Sequence, residues 1–185
     1  TVYLEHLLYL SLKPVVQLVR KFGFEVFRVE EYSIHGGSFR VFMARKGDHK
    51  VEPSVTRLLA KEKKAGIHFL PALRRFAKRV ELHRQALVAL IDGLERRGKR
   101  LAIVSAPAKG MTLLNYCRLG PERLAFATET SKLKLGRFTP GTHIPVVKDE
   151  ELVRQKIDYA LLLAWNFSDD IVKNLKAYRK RGGKI

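Results

Sequence analysis

The first third of the chain changes from a helical to an alternating pattern of apolar residues. Between Ser11 and Phe22 the apolar side chains recur at helical spacing, and Gly23 follows the last of them. Residues 24–34 and 39–44 alternate apolar and polar positions, with one irregularity in the first run, and glycines lie between the two runs. The pattern therefore predicts a helix followed by an antiparallel hairpin over residues 24–45.

The middle of the chain returns to helical spacing for two further segments. The first begins at Glu52-Pro53-Ser54, which is typical of a helix start, and ends at Gly66. The second runs from Leu70 to about Arg97, with apolar residues facing one way and arginines and lysines opposite or beside them, and Gly98 ends it. Residues 51–98 are therefore predicted to be long helices that bridge the hairpin to the rest of the chain.

From Lys99 onwards, short apolar runs alternate with helical segments. The runs Leu101 to Val104, Leu124 to Thr128 and Tyr159 to Ala164 are continuous, which is typical of parallel strands covered on both faces. Helices are predicted after Lys109, over 147–155 and over 168–181, and residues 182–185 are predicted to enter a fourth strand. Residues 131–147 are predicted to be a long irregular loop, and loops of that length are more often functional than not. The predicted class is α/β, with a parallel sheet and flanking helices over 99–185.

The composition is that of a globular protein in a reducing compartment. The 185 residues are 46% hydrophobic, which is enough for one ample core or two small ones. No apolar run approaches the roughly 18 residues that a membrane span needs, and the first residues lack the features of a signal peptide. The single cysteine, Cys117, lies on the apolar face of a predicted helix, so we expect it in the core. A cytoplasmic location is expected.

The net charge of +18 attracts polyanions whether or not binding them is the function. The positive excess is densest in the predicted long helices and recurs in the C-terminal helix from Lys173 to Arg181. Because aromatic residues are not interleaved with these cations, a solvated basic face is favoured over a nucleic-acid interface. A basic α/β module that binds nucleic acid, or serves as a scaffold, remains the alternative class.

Candidate ligand-binding residues follow the predicted strands, whose carboxyl ends meet at one edge of a parallel sheet. Lys109, Gly110 and Asn115 follow the first strand, and a lysine at a helix start suits a phosphate or another anion. Glu129 ends the second strand, and Trp165 with Asn166 follows the third. The alternative for Lys109 is a solvated side chain in an ordinary turn. The alternative for Trp165 is a half-buried packing residue that binds no ligand.

Several sequence strings resemble the S-adenosylmethionine-dependent C-methyltransferases of deoxysugar biosynthesis, in their C-terminal region. The strings span nearly the whole chain in the expected order. They are Tyr-x-Glu-His at residues 3–6, His-Gly-Gly-Ser at 35–38 with Arg40, Ala-Pro-Ala-Lys-Gly at 106–110 with Thr-Leu-Leu-Asn-Tyr at 112–116, Gly-Arg at 136–137, Pro-Gly-Thr-His-Ile-Pro at 140–145 and Leu-Leu-Leu-Ala-Trp-Asn at 161–166.

The resemblance implies a domain organisation. Residues 1–50 would be the tail of a methyltransferase domain, 51–98 the bridging helices and 99–185 a Rossmann-like domain that holds a nucleotide-diphosphate sugar. The adenosylmethionine-binding half and the cysteines of a zinc-binding segment are not in this sequence. The chain is therefore predicted to be a C-terminal fragment that is inactive alone and does not itself bind adenosylmethionine, the cofactor of the full-length enzyme.

The resemblance also implies roles for individual residues. His6, oriented by Glu5 or Tyr3, would be the base that removes a proton beside a keto group, a role that imidazole side chains commonly take in enzymes. Without the resemblance, the preferred interpretation is that His6 caps the helix that starts near Ser11. The implied substrate-binding residues are His35, Lys109, Gly110, Asn115, Glu129, Arg137, His143, Trp165 and Asn166.

Two positions depart from the family pattern, and one assignment has an alternative. Val104-Ser105 stands where Tyr-Gly is usual, and Glu129-Thr130-Ser131 stands where Asp-Arg-Asn is usual. The second departure leaves the identity of the sugar open. His35 and the glycines beside it equally suit a simple hairpin turn.

Overall fold

The computed structural model describes residues 6–185, and at position 35 the backbone alone. These residues form two compact units, which we call the hairpin unit (6–81) and the sheet unit (82–185). The helix α3 contributes residues to both units. No helix of the described chain combines the length and hydropathy needed to cross a bilayer.

In the hairpin unit, two helices pack on one face of an antiparallel hairpin. Its elements are α1 (Leu12–Arg20), β1 (Phe24–Tyr32), β2 (Ser38–Arg45), α2 (Pro53–Ala65) and the start of α3 (Leu70–Glu95). The predicted hairpin is confirmed, and its irregularity is a β-bulge at Phe27, where the pairing register shifts. The core of this unit consists of Leu12, Val16, Val26, Val29, Val55 and Leu58.

A buried carboxylate joins α1 to α2 in the hairpin unit. Glu62 on α2 is only 7% exposed, and its carboxylate accepts hydrogen bonds from the backbone N–H groups of Leu12 and Lys13 (3.1 Å to the latter). Nε2 of His68 lies 3.3 Å from the same carboxylate. The positive end of the α1 dipole favours a negative group at this position. Glu62 therefore caps a helix that is distant in sequence.

The sheet unit contains a parallel four-stranded sheet. Its strands are β3 (Leu101–Val104), β4 (Ala127–Thr128), β5 (Val146–Val147) and β6 (Tyr159–Leu162), in the order β5-β4-β3-β6. Counted along the chain, this order is third-second-first-fourth, the order of the first four strands in a Rossmann sheet. The predicted α/β class, with a Rossmann-like parallel sheet and a separate antiparallel hairpin, is confirmed.

Both faces of β3 are covered. Leu101 and Ile103 belong to a core on one face, which includes Leu114 of the helix α4 (Ala108–Cys117). Ala102 and Val104 belong to the core on the other face, with Phe126 and residues of the last three helices. Those helices are α5 (Glu150–Arg154), α6 (Ser168–Asn174) and α7 (Lys176–Lys180). Burial on both faces explains the continuous apolar run at 101–104.

Several predicted bounds were wrong. The strand predicted from Leu124 begins only at Ala127, and the strand predicted to reach Ala164 ends at Leu162. The loop predicted over residues 131–147 ends earlier, because residues 146–147 form the strand β5. The helix predicted over 147–155 begins only at Glu150, and the helix predicted over 168–181 is divided into α6 and α7 at Leu175. The strand β5 is held by contacts that hydropathy cannot show: Val146 donates a backbone hydrogen bond to Arg137 (2.8 Å) and accepts one from Gly136 (3.0 Å).

A glycine sets the spacing between α4 and the segment that follows β6. A Cβ atom at Gly110 would lie 2.8 Å from Cβ of Leu163, so Gly110→Ala forces the two elements apart and is expected to lower stability by about 1–3 kcal/mol. The matched control is Gly93→Ala in α3, where a Cβ would meet only the tip of Arg96 at 3.9 Å. That control should gain about 0.5–1 kcal/mol from helix propensity. Urea unfolding of both variants tests the pair, and equal effects would contradict the packing role.

Candidate functional site

A cleft of about 300 Å³ lies at the carboxyl edge of the parallel sheet. It is at the point where the chain passes from one side of β3 to the other, and open α/β sheets bind their ligands at such a switch point. Residues that follow β3, β4 and β6 form its wall, together with the start of α5 and the inner side of α6. The lining includes Ser105, Pro107, Thr128, Glu129, Thr130, Lys134, Asp149, Ala164, Phe167, Ile171 and Asn174. The sequence predicts ligand binding at the carboxyl edge of the parallel sheet, and the structure has a cleft at that edge.

Glu129 is held as a carboxylate in this cleft. Its side chain is 13% exposed, and it accepts hydrogen bonds from the backbone N–H groups of Thr130 (3.0 Å) and Ser131 (3.3 Å) and from Nζ of Lys134 (3.0 Å). Lys134 is itself held by a hydrogen bond to the carbonyl oxygen of Ala106 (3.0 Å). Burial raises the pKa of Glu129, but the three donors outweigh it and the net pKa is lowered. The group is therefore ionised at neutral pH.

The lowered pKa of Glu129 makes its contribution to stability depend on pH. A carboxyl whose pKa is lower in the folded than in the unfolded chain stabilises the fold above its unfolded pKa, and this stabilisation is lost as the pH falls. Glu129→Gln should therefore lower the free energy of unfolding at pH 7, and the difference from the unsubstituted chain should shrink as the pH falls from about 5 to 3. Urea unfolding across this range is the measurement. If the difference in the free energy of unfolding did not change with pH, Glu129 would not be held as a hydrogen-bonded carboxylate.

Two hydroxyl-bearing residues in the cleft wall have unusual surroundings. Ser105 has a φ of +65°, a backbone region that favours glycine, and its hydroxyl accepts a hydrogen bond from the N–H of Ala164 (3.1 Å). Thr128 is 0% exposed, and its hydroxyl is the one buried side-chain polar atom of the described chain without a hydrogen-bond partner. A buried polar group without a partner is unfavourable, so each such group requires a reason.

Lys109 and Trp165 are brought together at the same edge of the sheet. Nζ of Lys109 lies 4.2 Å from the centroid of the Trp165 ring, which is a cation–π contact. The Trp165 side chain is 45% exposed, and Lys109 is half-buried, which lowers the pKa of its ammonium group. The lysine therefore has a fixed position over an aromatic surface.

Two other candidate residues near α4 have structural contacts. The side-chain amide of Asn115 donates hydrogen bonds to the carbonyl oxygens of Met111 (2.8 Å) and Pro140 (3.0 Å), so it ties α4 to the turn at 139–144. Gly110 packs against Leu163 as described above. Neither residue is part of the cleft lining.

The remaining candidates lie outside the cleft lining as well. Arg137, His143 and Asn166 are exposed, and His143 has a φ of +54° within the turn that Thr139 stabilises. His35 is in the short 3₁₀ turn between β1 and β2, and the structure describes only its backbone. His6 is exposed in the hairpin unit before α1, with its ring centroid 5.5 Å from that of Tyr9. Tyr3 and Glu5 lie outside the described residues.

Sequence reasoning identified Glu129 but missed most of the cleft wall. Thr128 gave a signal, because a polar residue at the end of an apolar strand is placed at the edge where ligands bind. Lys134 gave no signal beyond its place in the loop predicted over residues 131–147. Asp149 and Asn174 gave no signal, because their position depends on the strand β5 and on the break between α6 and α7.

Part of the basic surface has structural partners. The guanidinium of Arg181 donates to the backbone carbonyl oxygens of Leu152 (3.1 Å) and Ile157, and Arg123 contacts the carboxylates of Asp92 and Glu95. These arginines hold elements of the sheet unit together. Not every cation of the chain is therefore available to a polyanion.

Comparison with known proteins shows the family to which this chain belongs. The family model for the C-methyltransferase C-terminal domain matches residues 33–185, and the chain belongs to that family. A particular relative is the C-methyltransferase NovU of Streptomyces niveus, which is 38% identical over an alignment of 186 residues. The alignment covers all of this chain and 44% of NovU, so the chain spans less than half the length of that relative. The predicted family resemblance is confirmed.

Proposed function

We propose that this chain holds the nucleotide-linked keto-deoxysugar substrate of a C-methyltransferase and works with an adenosylmethionine-binding region outside this sequence. Membership of the C-methyltransferase C-terminal domain family supports the reaction class. The observation that supports a nucleotide ligand is the Lys109 ammonium, held 4.2 Å from the exposed Trp165 ring at the edge of a Rossmann-ordered sheet.

The Lys109–Trp165 pair combines the two contacts that a nucleotide needs. An ammonium group attracts a diphosphate, and an exposed indole ring offers a face on which a base can stack. The cation–π contact restricts the lysine before a ligand arrives, which reduces the entropy lost on binding. The burial that lowers the pKa of Lys109 also weakens its hydration, and a less hydrated cation interacts more strongly with an anion.

The residues of this chain would contribute to the chemistry through His6. Methylation at a carbon beside a keto group begins with loss of the proton on that carbon, and an imidazole can accept it near neutral pH. His6 is proposed as that base, with Glu5 or Tyr3 orienting its ring. Adenosylmethionine, bound by the other region, would supply the methyl group.

The nucleotide proposal is tested by titrating the chain with thymidine diphosphate and recording backbone amide resonances. We expect shifts at Lys109 and Trp165 and none along the exposed basic face of α7. Lys109→Ala should weaken binding by about 10-fold or more, because hydrogen bonds to charged groups contribute about 1.5–3 kcal/mol. Lys176→Ala, which removes an exposed lysine of α7, is the matched control and should leave the affinity unchanged.

A different pattern of shifts would favour the alternative class, a basic α/β module that binds nucleic acid. Shifts spread over the basic helices, with tight duplex DNA binding that survives physiological salt, would indicate a nucleic-acid module. Weak DNA binding that is independent of sequence and is lost steeply with salt is expected from the net charge alone.

A further inference from the structure

The cleft at the carboxyl edge differs electrostatically from the Lys109–Trp165 pair. Among residues 6–185, the ionisable residues that line it are Glu129, Asp149 and Lys134, so two acidic groups accompany one basic group. Excess negative charge disfavours a phosphate. The cleft volume of about 300 Å³ is at the lower end of the range for ligand sites, so it suits a single sugar ring better than a complete nucleotide.

The cleft also has hydrogen-bonding capacity that the described residues leave unused. Oε2 of Glu129 accepts a hydrogen bond from Lys134, and a carboxylate oxygen can accept a second. Within residues 6–185, Nζ of Lys134 donates to Glu129 and to the carbonyl of Ala106, which leaves one of its three N–H groups. The Thr128 hydroxyl, buried in the same wall, has no partner in the described chain. A carboxylate acceptor, an ammonium donor and a hydroxyl therefore belong to residues that line the same cleft.

We propose that this cleft binds the vicinal diol of a saccharide ring, with Glu129 and Lys134 holding its two hydroxyls and Thr128 completing the hydrogen bonds. Glu129 follows β4, which is the second strand of the Rossmann-ordered sheet along the chain. In dinucleotide-binding sheets of that order, an acidic residue after the second strand accepts hydrogen bonds from ribose hydroxyls. The diol belongs either to the ribose of a nucleoside or to a pyranose.

Whether the cleft depends on the proposed function is decided by the source of the diol. If the diol is the ribose of the nucleotide-linked substrate, the inference rests on the proposed function. If it belongs to another saccharide, the cleft is a separate site. The probes below contain no phosphate, so the cleft and the Lys109–Trp165 pair can each fail without the other.

The first experiment compares ligands with and without the diol by backbone amide resonances. Uridine is paired with 2′-deoxyuridine, and methyl α-D-glucopyranoside is paired with tetrahydropyran-2-methanol. Shifts at residues 128–131 with uridine, but not with its deoxy partner, indicate a ribose. The corresponding result with the glucopyranoside indicates a pyranose. The proposal is overturned if neither diol probe shifts these amides, or if each probe lacking the diol shifts them equally.

The second experiment uses the unpartnered hydroxyl. Thr128→Val keeps the shape of the side chain and removes only a hydroxyl that has no hydrogen-bond partner among residues 6–185. The variant should therefore melt at the same or a higher temperature, yet bind the diol probe at least about 10-fold more weakly. Thr112→Val, which makes the same change on α4 outside the cleft lining, should bind as the unsubstituted chain does. Unchanged binding by Thr128→Val would overturn the role of this hydroxyl.

Discussion

Replacing His6 by Gln in an enzyme that contains this chain and the adenosylmethionine-binding region should lower turnover by about 100- to 10,000-fold. Glutamine is similar in size and polarity but cannot take up a proton near neutral pH. The substrate contacts made in the ground state should remain, so the Michaelis constant should change little while kcat falls. Steady-state kinetics with a nucleotide-linked keto sugar is the measurement.

The control for this prediction is His83→Gln, the same chemical change at an exposed position of α3. It should leave both kinetic constants unchanged. Near-normal turnover of His6→Gln would remove His6 from the mechanism and leave Tyr3 or Glu5 as the candidates for the base.

Glu62→Ala should destabilise the chain by about 2–4 kcal/mol. The substitution removes the acceptor of two backbone N–H groups at the start of α1, and one of them belongs to Leu12, which is fully buried. Buried donors without an acceptor retain the cost of desolvation but lose the hydrogen bond. The variant also loses the favourable interaction between the carboxylate and the helix dipole. The measurement is the free energy of unfolding in urea.

The matched control is Glu31→Ala. Glu31 also contacts a partner from another element, Lys61 of α2, but its side chain is 52% exposed. Exposed ion pairs contribute about 0–1 kcal/mol, so this variant should unfold almost as the unsubstituted chain does. Similar losses in the two variants would show that the carboxylate charge matters here and the buried cap does not.

The sequence predicts elements well where the pattern that defines them is local. The hairpin over 24–45 alternates along its own length, and β3 is an uninterrupted apolar run because both of its faces are buried. The two-residue strand β5 was missed, because it is too short for any periodicity and depends on backbone hydrogen bonds to residues 136 and 137. Glu62 gave no signal either, since the backbone N–H groups that it caps are about fifty positions away along the chain.

The candidate site was predictable to a similar extent. Topology placed Glu129 and Trp165 at the carboxyl edge, because each follows a recognisable strand. Residue type alone could not separate a ligand-binding residue from one that packs: Asn115 holds a turn and Gly110 makes room for Leu163. That distinction depends on contacts between elements that no single stretch of sequence contains.

The contact between Lys109 and Trp165 gives this protein an optical reporter. Trp165 is the single tryptophan of the chain, so its fluorescence comes from one known place at the carboxyl edge of the sheet. An ammonium group 4.2 Å from the ring centroid imposes a local electric field on the indole, and the emission wavelength of an indole responds to such a field. Displacement of the lysine or covering of the ring changes that emission, so binding at this edge can be followed without a label.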